Sequence, residues 1–243
     1  MSVTFDRHAG LAVIRFEVPE KGNALSPSLV AAADEALQSA GADTAVHTIA
    51  FCGAGRHLCT GFDLSDLDAL DDGALLWRFV AIEQWLQRIW SMPKRTAAIG
   101  QGSTFGAGAD LFAACDERWL RDGARFRFPG AGFGLVLGTR RLAERVGVDR
   151  ARRWVAFGHT VQADEALAAG LANDRVAADD ETWRARLAQA PAVEGETMTA
   201  LYRATRADLA DADLAALVRS AARPGLKSRI EAYRSALAAA RKS

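Results

Sequence analysis

Two short segments gather the residues best placed to do chemistry. The first is Gln101-Gly102-Ser103-Thr104-Phe105-Gly106-Ala107-Gly108-Ala109-Asp110-Leu111, in which small residues run into a helix-like pattern with one carboxylate just inside it. Small side chains let a ligand approach the main chain closely. A helix starting near Gly106 aims its first N–H groups at that ligand, which suits an oxygen that is gaining negative charge. The second is Arg56-His57-Leu58-Cys59-Thr60-Gly61-Phe62-Asp63-Leu64, a similar small-residue turn upstream. Two main-chain donors from two separate loops are the parts of an oxyanion hole.

The elements that must hold these loops read as follows. Leu11–Phe16 reads as a strand, and Pro27–Leu37 as a helix with Ser26 as N-cap and Pro27 at the first helical position. Val46–Phe51 reads as a buried strand, and Thr96–Ile99 as a short strand ending at the glycine-rich loop. Asp116–Leu120 and Ala124–Phe128 read as further short strands. Strands alternating with helical patterns predict crossover units and a mainly parallel sheet. Between Leu75 and Trp90 apolar residues recur at helical spacing, and from Leu137 onward the pattern is nearly all helical.

In order and spacing, these segments resemble the enoyl-CoA hydratase/isomerase (crotonase) family. Leu58–Leu64 matches the family's first loop, with Thr60-Gly61 at its alanine-glycine step. Gln101–Leu111 matches the second loop, with Asp110 at its glutamate. Lys21-Gly22-Asn23-Ala24-Leu25-Ser26 resembles the N-terminal loop that meets CoA, and Gly138-Thr139-Arg140-Arg141-Leu142 resembles the family's glycine-threonine-glutamine-arginine-leucine step. The likeness continues through Phe157–Leu171 and covers about residues 3–240. It implies an α/β fold of the ClpP/crotonase type: repeated strand–strand–helix units around a mainly parallel core over 1–190, then C-terminal helices over 191–243 that build a homotrimer or a dimer of trimers.

The resemblance also implies a chemistry. A thioester oxygen gains charge when the α-carbon loses a proton or the β-carbon is attacked, and the main chains of Thr60 and Ala107 are the implied donors. Asp110 then reads either as the proton carrier or as a helix N-terminal aspartate held by the dipole. Substrate contacts are implied for Lys21, Asn23, Ala24, Cys59, Gly61, Phe62, Asp63, Leu64, Gly106 and Gly130. CoA arrives as part of the substrate, and no permanently bound cofactor or metal is implied. Hydration or dehydration is the family's leading activity, but it uses two glutamates. Phe126-Arg127-Phe128-Pro129-Gly130 puts glycine where the second stands. One carboxylate suits a double-bond isomerase or a decarboxylase better, and a non-catalytic acyl-CoA binder is the remaining alternative. Arg127 is a candidate to fill the lost carboxylate's space and favour an anionic substrate group. Trp77, Phe79 and Trp85 are candidates for an acyl pocket. His57 reads as surface imidazole, Glu144 as solvated or salt-bridged, and the acidic run Asp63 to Asp72 as a solvated stretch.

Composition excludes other classes. The 243 residues carry 30 basic and 30 acidic side chains, so no global field favours nucleic acid or a membrane surface. No apolar run reaches the ~20 residues that span a bilayer, and the N-terminus lacks a signal peptide's apolar region. Cys52, Cys59 and Cys115 make an odd count without pair or zinc spacing, which predicts a reducing, cytoplasmic setting. Gly130-Ala131-Gly132-Phe133-Gly134 lacks the strand and helix context of a dinucleotide loop. The basic run Arg219, Arg223, Lys227, Arg229, Arg234, Arg241 and Lys242 reads as a solvated helix or as contacts to CoA phosphates.

Overall fold

The computed structural model describes residues 2–177 and 179–240. Its strands are Val3–His8 (β1), Leu11–Phe16 (β2), Thr48–Gly53 (β3), Arg95–Gly100 (β4), Ser103–Phe105 (β5), Glu117–Leu120 (β6), Arg125–Arg127 (β7), Val161–Gln162 (β8) and Asp174–Arg175 (β9). A six-stranded sheet runs β1-β2-β3-β4-β6-β9, and a smaller one runs β5-β7-β8. β1 and β2 pair antiparallel with Val3 opposite Phe16, and every other pair in the large sheet is parallel. β3 is buried at all six positions, as expected of a parallel strand covered on both faces.

Helices cover those faces. Pro27–Ala42 (α1) starts where the sequence places it: Ser26 Oγ accepts the Leu29 N–H at 3.2 Å and Pro27 takes the first helical position. The helix runs five residues past the predicted end, because Gln38–Ala42 breaks the apolar spacing without breaking the helix. Asp72–Ser91 (α2) packs Trp85 between Phe16 and Phe51, with ring centroids 6.3 and 5.8 Å away. Ala107–Ala114 (α3) is buried along its whole length. Thr139–Val146 (α4), Val148–Ala156 (α5), Ala163–Ala168 (α6), Asp180–Leu187 (α7), Gly195–Thr205 (α8), Ala210–Ala221 (α9) and Leu226–Ala240 (α10) follow.

Two features differ from the sequence reading. β8 and β9 interrupt the helical half and add an outer strand to each sheet, but two residues are too few to show alternation. The C-terminal helices also share a core with the first half. Leu217 and Ala221 of α9 and Leu226 and Ile230 of α10 cluster with Leu75 and Phe79 of α2 and with Leu135. Asp72 fixes the start of α10 by accepting the N–H groups of Gly225, Leu226 and Lys227 at 2.8–3.1 Å.

Candidate active site

The two loops meet through main-chain contact. Leu58 N–H donates to Gln101 O at 3.1 Å, and Phe105 N–H donates to Cys59 O at 3.0 Å. The first loop thus lies beside β5 as an extra strand, bridged at Cys59 and Thr104. A Cβ on Gly108 would lie 2.3 Å from Cys59 O, and one on Gly61 would lie 2.8 Å from Phe105 O. Gly61 also has φ +100°, a backbone state that glycine takes without strain. The approach of the two chains therefore depends on missing side chains.

The N-terminal loop clasps the first loop from the other side. Leu25 N–H donates to Gly61 O at 2.7 Å, Asp63 N–H to Leu25 O at 3.3 Å, and Thr60 N–H to Gly22 O at 3.0 Å. This corrects the expectation for Thr60, whose amide is already spent on Gly22. Two residues on, the Phe62 N–H has no acceptor among the described residues, and neither has the Ala107 N–H at the start of α3. The pairing with Leu25 explains the open amide: Asp63 N–H faces Leu25, so the N–H of its neighbour Phe62 faces the other way, and Gly61 at φ +100° breaks the run from Thr60. The register with Gly22 was the signal that could have exposed it, but that pairing joins residues 38 apart and is not visible in a local pattern.

Phe62 and Ala107 both line a cavity of about 180 Å³, with Thr60, Gly61, Leu64, Gly106, Asp110 and Gly130. Its walls are otherwise mostly apolar: Phe79, Phe128, Phe133, Leu135, Leu137 and Val155. Ile230, Tyr233, Arg234 and Leu237 of α10 close it. Their spacing of three, four and seven is one helical face, a signal present in the sequence but overshadowed by the basic residues around it. Of the aromatic candidates, Phe79 lines the cavity, Trp85 is wholly buried in the core and Trp77 is 70% exposed. The two tryptophans are thereby removed from the acyl wall.

Asp110 is 5% exposed, and its Oδ1 has no hydrogen-bond partner. That oxygen lies against Gly138, where a Cβ would come within 2.1 Å of it. Gly138 has φ +68° and caps α4, so one glycine serves both the turn and the carboxyl. Burial holds the Asp110 carboxyl well above the usual carboxylate range; Arg141 pulls it down and Glu83 pushes it up.

Other expected residues hold the loops rather than face the cavity. Asn23 is fully buried with φ +54°; its side chain accepts the Val18 N–H at 3.0 Å and donates to Ala54 O and His57 O at 3.0 and 2.8 Å. Its amide is committed to the protein, so the expected contact from Asn23's side chain is withdrawn. Cys59 is likewise buried, accepts the Gly61 N–H at 3.4 Å, and has its thiol pushed up to about 12 by burial, so it braces the turn instead of meeting substrate. Ala24 sits behind Thr60 and Gly61. Lys21 is exposed; it bonds Ser65 Oγ at 3.2 Å and lies 3.6 Å from Asp63, which also accepts the Ser65 N–H. These three lie outside the cavity wall.

Arg127 turns away as well. Phe126 and Phe128 point inward, and Arg127 between them is directed at Gly158, where a Cβ would lie 3.2 Å from its Nη2. It does not replace the absent carboxylate. His57 is half-buried rather than a surface group: its Nδ1 accepts the Ser103 N–H at 2.9 Å, so the ring joins the two loops. Burial, then Arg56 and Arg125, lower its basicity, which keeps it neutral in that role. Glu144 pairs with Arg140, as expected. Within the basic run, Arg229 donates to five carbonyls between Phe133 and Arg223, and Arg234 lines the cavity. Arg241 and Lys242 lie outside the described residues.

Known proteins carry the same architecture. The family model described as Enoyl-CoA hydratase/isomerase matches residues 6–222. A Bordetella parapertussis crystal structure of the enoyl-CoA hydratase/isomerase type superposes with a TM-score of 0.91 at 42% identity, over 96% of this chain and 98% of that one. The "Probable enoyl-CoA hydratase echA6" of Mycobacterium leprae is 34% identical over 186 residues, 73% of each chain. An ethylmalonyl-CoA decarboxylase of Gallus gallus is also 34% identical, over 54% of this chain and 45% of that protein. With the match spanning both loops, α3 and most of the helical half, the chain belongs to the enoyl-CoA hydratase/isomerase family.

Proposed function

We propose that this protein moves the double bond of an enoyl-CoA, using Asp110 as its one proton carrier. The thioester oxygen sits between the Phe62 and Ala107 N–H groups. The Asp110 carboxylate takes a proton from the α-carbon, the electron pair passes into a dienolate whose charge the two amides hold, and the same carboxyl returns the proton to the γ-carbon. Each such donor typically lowers the barrier by ~3–4 kcal/mol. The observation that carries this reading is the single carboxylate in the cavity wall, with Gly130 where a second would stand. Hydration asks for two proton-handling groups, and leaving one out typically costs ~100- to 10,000-fold. The apolar walls favour a hydrocarbon acyl chain over a charged one.

A second reading is decarboxylation of a malonyl-type thioester. A carboxyl whose affinity for a proton is raised by burial supports it: carbon dioxide leaves, the bonding pair becomes an enolate on the same two amides, and a protonated Asp110 delivers its proton to the α-carbon. CoA enters in either case as part of the substrate, with the exposed Lys21 and its neighbour Asp63 at the loop beside it. Region 191–243 assembles trimers in this reading. α8 supports it, since none of its residues is buried within the chain, and sedimentation would count the subunits. The three buried, unpaired thiols fit a cytoplasmic setting.

The deciding experiment supplies 3-enoyl-CoA, crotonyl-CoA and a methylmalonyl-CoA in parallel to the native chain and to Asp110→Asn. Conversion of 3-enoyl- to 2-enoyl-CoA that falls about 100-fold or more in the variant is the expected result. Equal rates in both proteins would remove Asp110 from the chemistry.

A further inference from the structure

Behind Asp110 stands a buried pair of charges that the proposed reaction does not use. Arg141 of α4 and Glu83 of α2 are each 1% exposed, and Arg141 Nη1 and Nη2 donate to the two Glu83 oxygens at 2.8 and 2.6 Å. Asp213 of α9 lies 3.4 Å from Arg141 Nη1, which also bonds Glu83, and is itself held by Arg140. Arg141 Nε and Asp110 Oδ1 are both buried without a hydrogen-bond partner among the described residues. Gly138, which lies against Asp110 Oδ1, caps the helix whose first turn carries Arg141, yet Arg141 makes no hydrogen bond to Asp110; its Nη groups are held by Glu83.

We infer that Glu83 acts as a restraint: by engaging Arg141 through both oxygens, it keeps the guanidinium from becoming the counter-ion of Asp110 and so leaves Asp110 able to take a proton and return it. Glu83 and Arg141 are positioning residues, since neither lines the acyl cavity. The inference rests on the reading of Asp110 as the proton carrier. Among the described residues, the charged groups acting on Asp110 are Arg141 and Glu83; the loop from Gly130 to Gly138 contributes none, and Asp213 and Arg140 act one step further out through Arg141. Released from Glu83, Arg141 keeps only the longer contact to Asp213 and is free to approach Asp110. An opposite charge within ~4–6 Å lowers a carboxyl's pKa by roughly 1–3.

The test titrates Asp110 directly. Carbon-13 NMR of protein labelled at the aspartate carboxyls gives its midpoint, assigned by the signal missing from Asp110→Asn, with the pH profile of kcat beside it. Glu83→Gln is expected to lower the midpoint by about one or more. Arg141→Gln leaves Glu83 unneutralised and is expected to raise it, and the double variant falls between Arg141→Gln and Glu83→Gln. If Glu83→Gln does not fold, Arg141→Gln against the double variant decides: a higher midpoint in the single variant supports the inference, and equal midpoints overturn it. A Glu83→Gln midpoint at or above the native one overturns it too. Full activity of Asp110→Asn would sink the proposed function, while the order of these midpoints would still stand or fall on its own.

Discussion

The wall built by residues 59–64 and 104–110 and the wall built by residues 128–138 face the same cavity but are assembled differently. The first is made of main chain. Its donors are amides, its close approach comes from Gly61 and Gly108, and its bracing comes from Asn23 and His57, which bond only to backbone. The second is made of side chains and of their absence: Phe128, Leu135 and Leu137 give an apolar surface, and Gly130 leaves a gap. Main-chain donors survive side-chain change, so threonine, phenylalanine and alanine in the first wall are compatible with the oxyanion hole proposed there. Proton chemistry has no such protection. The second wall carries a glycine at 130, and the proposed reading therefore assigns proton transfer to Asp110.

Substitutions in each wall sharpen that contrast. The largest effect is expected at Gly61→Ala: the new Cβ would meet Phe105 O at 2.8 Å in a backbone state unfavourable to alanine, so the amides separate. Turnover should fall about 100- to 1,000-fold with the circular dichroism unchanged. A variant with near-native kcat would mean that the glycine contact does not set the oxyanion hole. Asn23→Ala should cost about 3 kcal/mol of unfolding free energy in urea, because it strands three backbone groups and puts alanine at φ +54°. A loss under ~1 kcal/mol would contradict the bracing role.

Gly130→Glu asks whether the second wall can be restored. Its Cβ would lie 3.2 Å from Leu135 O, so the loop must give slightly. Hydration of crotonyl-CoA should rise about tenfold, well below the full value of an acid or base. The smallest effect concerns pH. Native protein binds the Asp110 proton more tightly than the unfolded chain, whose aspartates titrate near ~3.9. The resulting stability is complete below that value and is lost as pH rises toward the folded one. From pH ~4 upward into the neutral range the native chain should therefore weaken relative to Asp110→Asn. A constant difference across that range would show that Asp110 ionises normally.

Residues and spacing alone determined the parallel α/β core, the Ser26 cap, both glycine loops and the place of Asp110 just inside a helix, while the family resemblance marked Gly130 as the place of a second carboxylate. Each rests on a local pattern, such as the period of a strand, the chemistry of a cap or the lack of a side chain. Which amide of the first loop is left open was decided by its pairing with Gly22 and Leu25, and that pairing is long-range. The same holds for Arg127 pointing to Gly158, for Asn23 serving the fold, and for α10 closing the cavity. Side-chain direction and hydrogen-bond partner depend on what lies across the gap, and chain neighbours carry no record of it.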